Sequence, residues 1–411
     1  MKSVLIPIPV MVLTRLKEEI EPFGYSAADT AQLYAKCIEL WFTLYAKHEQ
    51  YKHIEADNYY AFSAERLYVN VQARDLQPFN VQIAGHRYQY RNLLSILVNA
   101  QVLEINEKYS VSRFSKSFRP HPDLLFDKLS IVELDLKAFT KSCAYRSTRE
   151  EKLKEYPELA TLINAVYDTT IDLEQAVALI NEAGLEAHIG YDHCIRAIKI
   201  YCGLHFFAEA DYTGRLYTSI AGCPSEIVPA LRLYGQPLIE IDVANCQPLL
   251  LANLLGHEQM QAVCESGRFY ETLMEFTGET DRKEIKVKLY KHIMFNAGWV
   301  TPYVGGSIAI AFERLFPGSI TAINAHKPGS ESRLAEWIDT GRTQDLLWCR
   351  MQSLEADIVI TAAEAFPHAL TRHDSILIPA NEDPTPVIDA LMTEFTIRGM
   401  TPVLKIKNHK S

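Results

Sequence analysis

Two short runs of branched apolar residues, each interrupted or headed by an aspartate, stand out in the second half of the chain. Leu238-Ile239-Glu240-Ile241-Asp242-Val243 and Asp374-Ser375-Ile376-Leu377-Ile378-Pro379 both read as buried strands with an acid at the mouth. Between them, Arg282, Lys286 and Tyr290 recur at i, i+4 and i+8, the spacing of one helical face. Met351–Ile358 reads as a further helix ahead of the second strand. From about residue 205 onward, strand-like runs alternate with helices.

The first half has a different pattern. Residues 27–50 and 56–75 are expected to be helical. Tyr90, Leu93, Leu94 and Leu97 form an apolar stripe within 88–100, followed by a strand at 102–105. A turn at Asn106-Glu107-Lys108 and a returning strand from Tyr109 to Phe118 complete a hairpin. Helix, hairpin and basic aromatic tip suggest a winged-helix-like module. Residues 147–200 are mostly helical, with Leu159, Leu162, Ile163 and Val166 on one stripe and Leu173, Val177, Leu179 and Ile180 on another. Boundaries near 130 and 205 divide the chain into an N-terminal module (1–130), a helical region (131–204) and a region (205–411) that holds the chemistry-bearing segments.

Composition narrows the class. The 411 residues are 48% hydrophobic and 22% charged, an ordinary globular balance with room for about two or three domains. No apolar run approaches the ~20 residues of a membrane span. The proline-broken start, Met1–Val10, reads as a strand or extended arm rather than a signal peptide. None of the eight cysteines forms a C-x-x-C pair, which fits a reducing, cytoplasmic setting. A net charge of −10 argues against a general nucleic-acid coating protein, but a local basic groove acts on its ligand through the local field. One such cluster is Lys108, Arg113, Lys116 and Arg119 with Tyr109, Phe114 and Phe118. It reads as a nucleic-acid contact or as a solvated hairpin.

The chemistry-bearing segments point one way together. Two facing carboxylates can bridge two divalent ions, and cations on one helical face can hold a triphosphate. For a lone aspartate the plainer reading is a turn former, and for a lysine-rich helix a solvated face. Gly214 permits a close turn in Asp211-Tyr212-Thr213-Gly214-Arg215-Leu216-Tyr217, and Arg215 and Gln352 offer polar contacts to a minor-groove edge.

With these residues in view, the chain resembles the family A DNA polymerases and the phage-type single-subunit RNA polymerases over roughly 205–395. Thr213-Gly214-Arg215-Leu216 is similar to the T-G-R-L segment of the DNA polymerases and, with Asp211 and Tyr217, resembles the D-x-x-G-R-x-Y segment of the RNA polymerases; Asp242 falls where motif A has its metal-binding Asp. Arg282, Lys286 and Tyr290 match motif B. Gln352-Ser353-Leu354-Glu355-Ala356-Asp357 is similar to the Q-G-T-A-A-D helix, and His373-Asp374-Ser375 matches motif C. The resemblance implies an α+β right-hand palm with an antiparallel sheet, helical fingers and a thumb-like region. It implies two Mg²⁺, or Mn²⁺, on Asp242 and Asp374. Arg282 and Lys286 would hold the triphosphate, with Lys286 assisting the leaving pyrophosphate. Tyr290 would lie near the nascent pair. Arg215, Gln352 and His373 would contact the primer–template. The implied partners are a DNA or RNA primer–template and nucleoside triphosphates.

The chain departs from the pattern at Gln247, five residues past Asp242, where the DNA polymerases have Glu. It departs again at Met294, where motif B has Tyr. Gln247 is bulky enough to crowd a 2′-hydroxyl, which favours DNA synthesis. RNA synthesis, as a transcriptase or primase, and an inactive polymerase-like replication or DNA-binding protein are the alternatives.

Overall fold

A computed structural model describes residues 4–52, 69–70, 79–106, 117–121, 123–124, 129–134, 148–185, 187–210 and 212–409. The chain divides into two compact units. One comprises Met1–Arg146, Thr170–His205 and Cys223–Leu231; the other comprises Ser147–Thr169, Phe206–Gly222 and Arg232–Ser411. The helical stretch expected over 147–200 is present as four helices between Arg149 and Tyr201. It is shared between the units, with Ser147–Thr169 in the second and Thr170–His205 in the first.

In the first unit the strand Val4–Pro9 pairs antiparallel with Leu129–Leu134. The helix Ala27–Lys52 buries Leu33, Leu40, Trp41 and Phe42, and the Trp41 indole donates to the Val102 carbonyl at 2.8 Å. The stripe around Leu93 and Leu97 forms the helix Tyr90–Asn99, begun by a reciprocal cap between Gln89 and Asn92. Leu103–Asn106 then pairs antiparallel with Ser117–Pro120. Two antiparallel strands are therefore present, but Asn106, expected in the turn, ends the first strand and pairs with Ser117; residues 107–116, which hold Lys108, Tyr109, Arg113, Phe114 and Lys116 and the rest of the expected turn, lie outside the described residues. Arg119 lies in the return strand. The helix expected over 56–75 is corrected at its described residues. Val69–Asn70 is a short strand paired to Phe118 and Ser117, where cross-strand pairing outweighs local helical spacing.

The second unit is α+β. It begins with an antiparallel hairpin of β1 (Phe207–Glu209) and β2 (Leu216–Thr218). β3 (Leu238–Val243) leads into α1 (Cys246–Leu255). A run of helices follows, including α2 (Phe269–Thr277) and α3 (Arg282–Leu289), and then α4 (Leu347–Glu364). β4 (Leu370–Arg372), β5 (Ser375–Pro379), α5 (Thr385–Ile397) and β6 (Leu404–Asn408) complete the unit. The central sheet is antiparallel in the order β4-β5-β3-β6.

Alternation along β3 sorts its side chains. Ile239 and Ile241 lie across from Ile378 and Ile376 of β5 on one face, and all four are buried. Burial of each such side chain stabilises by roughly 1.5–3 kcal/mol. Leu238, Glu240 and Asp242 occupy the other face. α4 packs against β4 and β5, and α1 and α5 pack against α4. Among the described residues no helix is long and apolar enough to cross a membrane.

Candidate active site

The register of β3 and β5 brings the two sequence-predicted aspartates to one place. Asp242 pairs with Ser375, so Asp374 is displaced from it by a single position. The Val243 amide donates to the Asp374 carbonyl at 3.2 Å, which pins the β4–β5 turn to β3. That turn has only two residues, His373 and Asp374. His373 has φ of 55°, a conformation a tight hairpin needs and a β-carbon disfavours. The strain sits on the residue immediately before the acid.

Asp374 is pushed up to about 7, first by burial and then by the negative charges of Glu355 and Asp242, against the opposing pull of Lys286. Lys286 also acts on Glu355 and His373. The basic helix is thus within electrostatic reach of Asp374, although its lysine is exposed. His373 keeps an exposed edge, yet desolvation by the surrounding protein, then Arg215, Arg372 and Lys286, hold its imidazole below the ordinary range.

α3 starts at Asp281, whose carboxylate accepts from the Lys283 amide at 2.8 Å. Arg282 is already engaged: its guanidinium lies over the Tyr270 ring at 4.5 Å and its Nε donates to Glu271 at 3.3 Å. The Lys286 ammonium lies 5.4 Å from the centre of the Tyr290 ring. Tyr270 donates its hydroxyl to that of Tyr290 at 3.2 Å. Burial, Tyr270 and the charge on Asp374 drive the Tyr290 phenol far up, so it remains protonated. Past Leu289 the helix widens into a π turn, Tyr290–Met294, a form of helix interruption frequent at functional sites. Met294, where the motif has Tyr, is fully buried.

Arg215 and Gln247 meet at a residue the sequence reading passed over. Gly214, at φ of 65°, lets the β1–β2 hairpin turn tightly. Arg215 then donates to one carboxylate oxygen of Glu355 on α4, and Gln247 Nε2 donates to the other. Glu355 is 1% exposed, and burial raises its carboxyl above the usual range despite both partners. Gln247 is thus a buried residue at the start of α1, held by a carboxylate. Its Oε1, and both amide atoms of Asn245, lack a hydrogen-bond partner among the described residues. Orphaned polar atoms beside acids suit a polar ligand or ordered water. Gln352 lies on α4 one turn before Glu355 and is partly exposed. Asp211 lies outside the described residues. The signal for Glu355 was present: Met351, Glu355, Ile358 and Ala362 share a helical stripe that is otherwise apolar.

A second missed acid lies in β3 itself. Glu240 is 3% exposed and shares Asp242's face. Ser375 donates to its Oε1 at 2.9 Å and Arg372 at 3.3 Å. Its Oε2 meets His409 at 3.2 Å and Lys407 at 3.6 Å. His409, Lys407, Ser375 and Arg372 hold the Glu240 carboxyl down at about 2, against the upward push of burial. Lys407 also lies 3.2 Å from Asp242 Oδ2.

No cluster of three or more His, Cys, Asp or Glu donors suited to a metal exists among the described residues. Two carboxylates nevertheless fit Mg²⁺, which is commonly bound by one or two carboxylates, with water and substrate phosphates filling the other positions. Burial first, and the neighbouring carboxylates second, raise the Asp374 carboxyl, and a divalent ion beside it would favour its ionised form.

No protein-family model matches the chain, and no curated protein matches it. A solved structure similar to it is the POL domain of Pol1 from M. smegmatis in complex with DNA primer-template and dNTP. The identity is 11% and the TM-score 0.36, over 98% of this chain and 66% of that one. So distant a likeness carries no argument about chemistry.

Proposed function

We propose that this chain is a template-directed nucleotidyltransferase that uses two carboxylate-bound divalent ions. The observation that carries this reading is the juxtaposition of Asp242 and Asp374 on neighbouring strands, with Asp374 within the electrostatic reach of Lys286. Mg²⁺ or Mn²⁺, when bound, would lower the pKa of an attacking hydroxyl and offset charge on a leaving pyrophosphate. Asp242 and Asp374 are the residues that would hold it.

Lys286 places a positive charge where a triphosphate meets those acids, without reorganising during the reaction. Its long stem reaches from an exposed helical face. Arg282, tied to Glu271 and Tyr270, braces α3 and adds positive field at the nucleotide. Tyr290, kept protonated, offers a hydroxyl and a ring face beside Lys286. Glu355 fixes the Arg215 guanidinium and the Gln247 amide. Gln352 and His373 would contact a primer–template on this reading. A DNA or RNA primer–template and nucleoside triphosphates are the partners this chemistry calls for.

The test is magnesium-dependent extension of a primed template with dNTP and with NTP. Asp242→Asn and Asp374→Asn should each abolish incorporation while leaving the circular-dichroism spectrum and melting cooperativity intact. Near-normal synthesis by either variant at saturating Mg²⁺ would remove the two-carboxylate assignment.

A further inference from the structure

The charges around the aspartate pair are unevenly matched. Glu355 is met by Arg215, and Glu240 by Arg372. Asp242 has a single side-chain partner among the described residues, Lys407, at 3.2 Å. Register places Lys405 directly across from Asp242 and Lys407 directly across from Glu240. Lys407 therefore reaches diagonally, and its ammonium sits between the two acids, 3.6 Å from Glu240. Its side chain is 49% exposed, on a flexible four-carbon stem that can swing.

Building on the two-carboxylate reading, we propose that Lys407 is a resident counter-ion of the metal site. It neutralises Asp242 while no divalent ion is bound and yields that carboxylate when one binds. The physical reason is competition. A divalent ion on Asp242 would lie within a few ångströms of an ammonium, and like charges that close repel strongly. Glu240 offers the displaced ammonium a second berth on the same strand. Its own carboxylate keeps the Arg372 guanidinium and its contacts with Ser375 and His409. A simpler role for a lysine on β6, the edge strand of the sheet, is to discourage pairing with another chain. That role requires no contact with Asp242 and predicts no change in metal affinity.

The experiment titrates Mn²⁺ into the full chain, reading free Mn²⁺ by electron paramagnetic resonance at fixed ionic strength, with no substrate present. Lys407→Met should bind Mn²⁺ on the order of tenfold more tightly than the wild type, the discount for a half-exposed charge included. Lys407→Arg, which keeps the charge, should stay close to wild type. Lys405→Met, which removes a neighbouring charge that makes no ion pair with Asp242, should change affinity less than Lys407→Met. Lys407→Gln provides a second neutral variant should the Met protein fold poorly. Equal or weaker affinity in both neutral variants overturns the proposal while leaving the function reading standing. Absence of Mn²⁺ uptake by wild type and variants alike overturns both.

Discussion

Glu355 uses both carboxylate oxygens, one toward Arg215 and one toward Gln247, while nearly fully buried. Removing one partner of such a pair strands the other's charge, a cost of about 3–5 kcal/mol. Glu355→Ala should therefore lower the urea-unfolding free energy by about that amount. The double variant Glu355→Leu with Arg215→Met should recover much of the loss, because no buried charge remains unmatched. Strictly additive losses would show that the two side chains are not coupled. At Lys286 the stake is rate, not stability, since the side chain is exposed. Lys286→Ala should slow single-turnover incorporation by about 10²–10³, the effect of removing one preorganised charge-stabilising group. A wild-type single-turnover rate would take α3 out of the chemistry.

The segment after the π turn is held by side chains that substitute for backbone. Asn324 accepts from the Val300 amide at 2.7 Å and donates to the Val300 carbonyl at 2.9 Å. Lys327, 4% exposed, donates to the Asn296 carbonyl at 2.9 Å and to its side-chain oxygen at 3.2 Å. Burial, with only neutral oxygens as hydrogen-bond acceptors, lowers the Lys327 ammonium to about 7. The folded form releases its proton near pH 7, whereas the unfolded chain keeps it to about 10.5. Between those values the unfolded state binds more protons, so stability rises with pH. Wild-type protein should gain on the order of a few kcal/mol from pH 7 to pH 10 through this group. Lys327→Met should lack that rise, and an identical pH slope in the two proteins would exclude the assignment. Gly329 belongs to the same anchor: a β-carbon there would come within 2.6 Å of the Trp299 ring.

Across the whole molecule, net charge and local charge pull apart. A chain of net charge −10 repels a polyanion unless cations gather where it binds. The two gatherings are α3 and the segment 108–119, and the latter belongs to the first compact unit. If Arg113, Lys116 and Arg119 each neutralise a phosphate, replacing all three with Ala should flatten the log–log salt dependence of duplex binding by up to about 3 units. An unchanged affinity and slope would leave this segment as a solvated hairpin.

Periodicity and residue type alone were enough to locate β3, β5, α3 and α4, because each carries a local signature: alternation, a branched apolar run, or i, i+4 spacing. The candidate acids Asp242 and Asp374 and the cation Lys286 were legible for the same reason. The short strand at Val69–Asn70, the capture of Gln247 and Arg215 by Glu355, and the reach of Lys407 to Asp242 were not. Arg215 and Glu355 lie 140 positions apart, and Lys407 lies 165 positions from Asp242. Which of many buried or edge-strand charges meets which is set by strand register and helix packing, and no local pattern encodes that. The sequence by itself determined what kinds of groups the site would hold. The tertiary structure decided their pairing, because a carboxylate's partner depends on distance in space and on the water that packing removes.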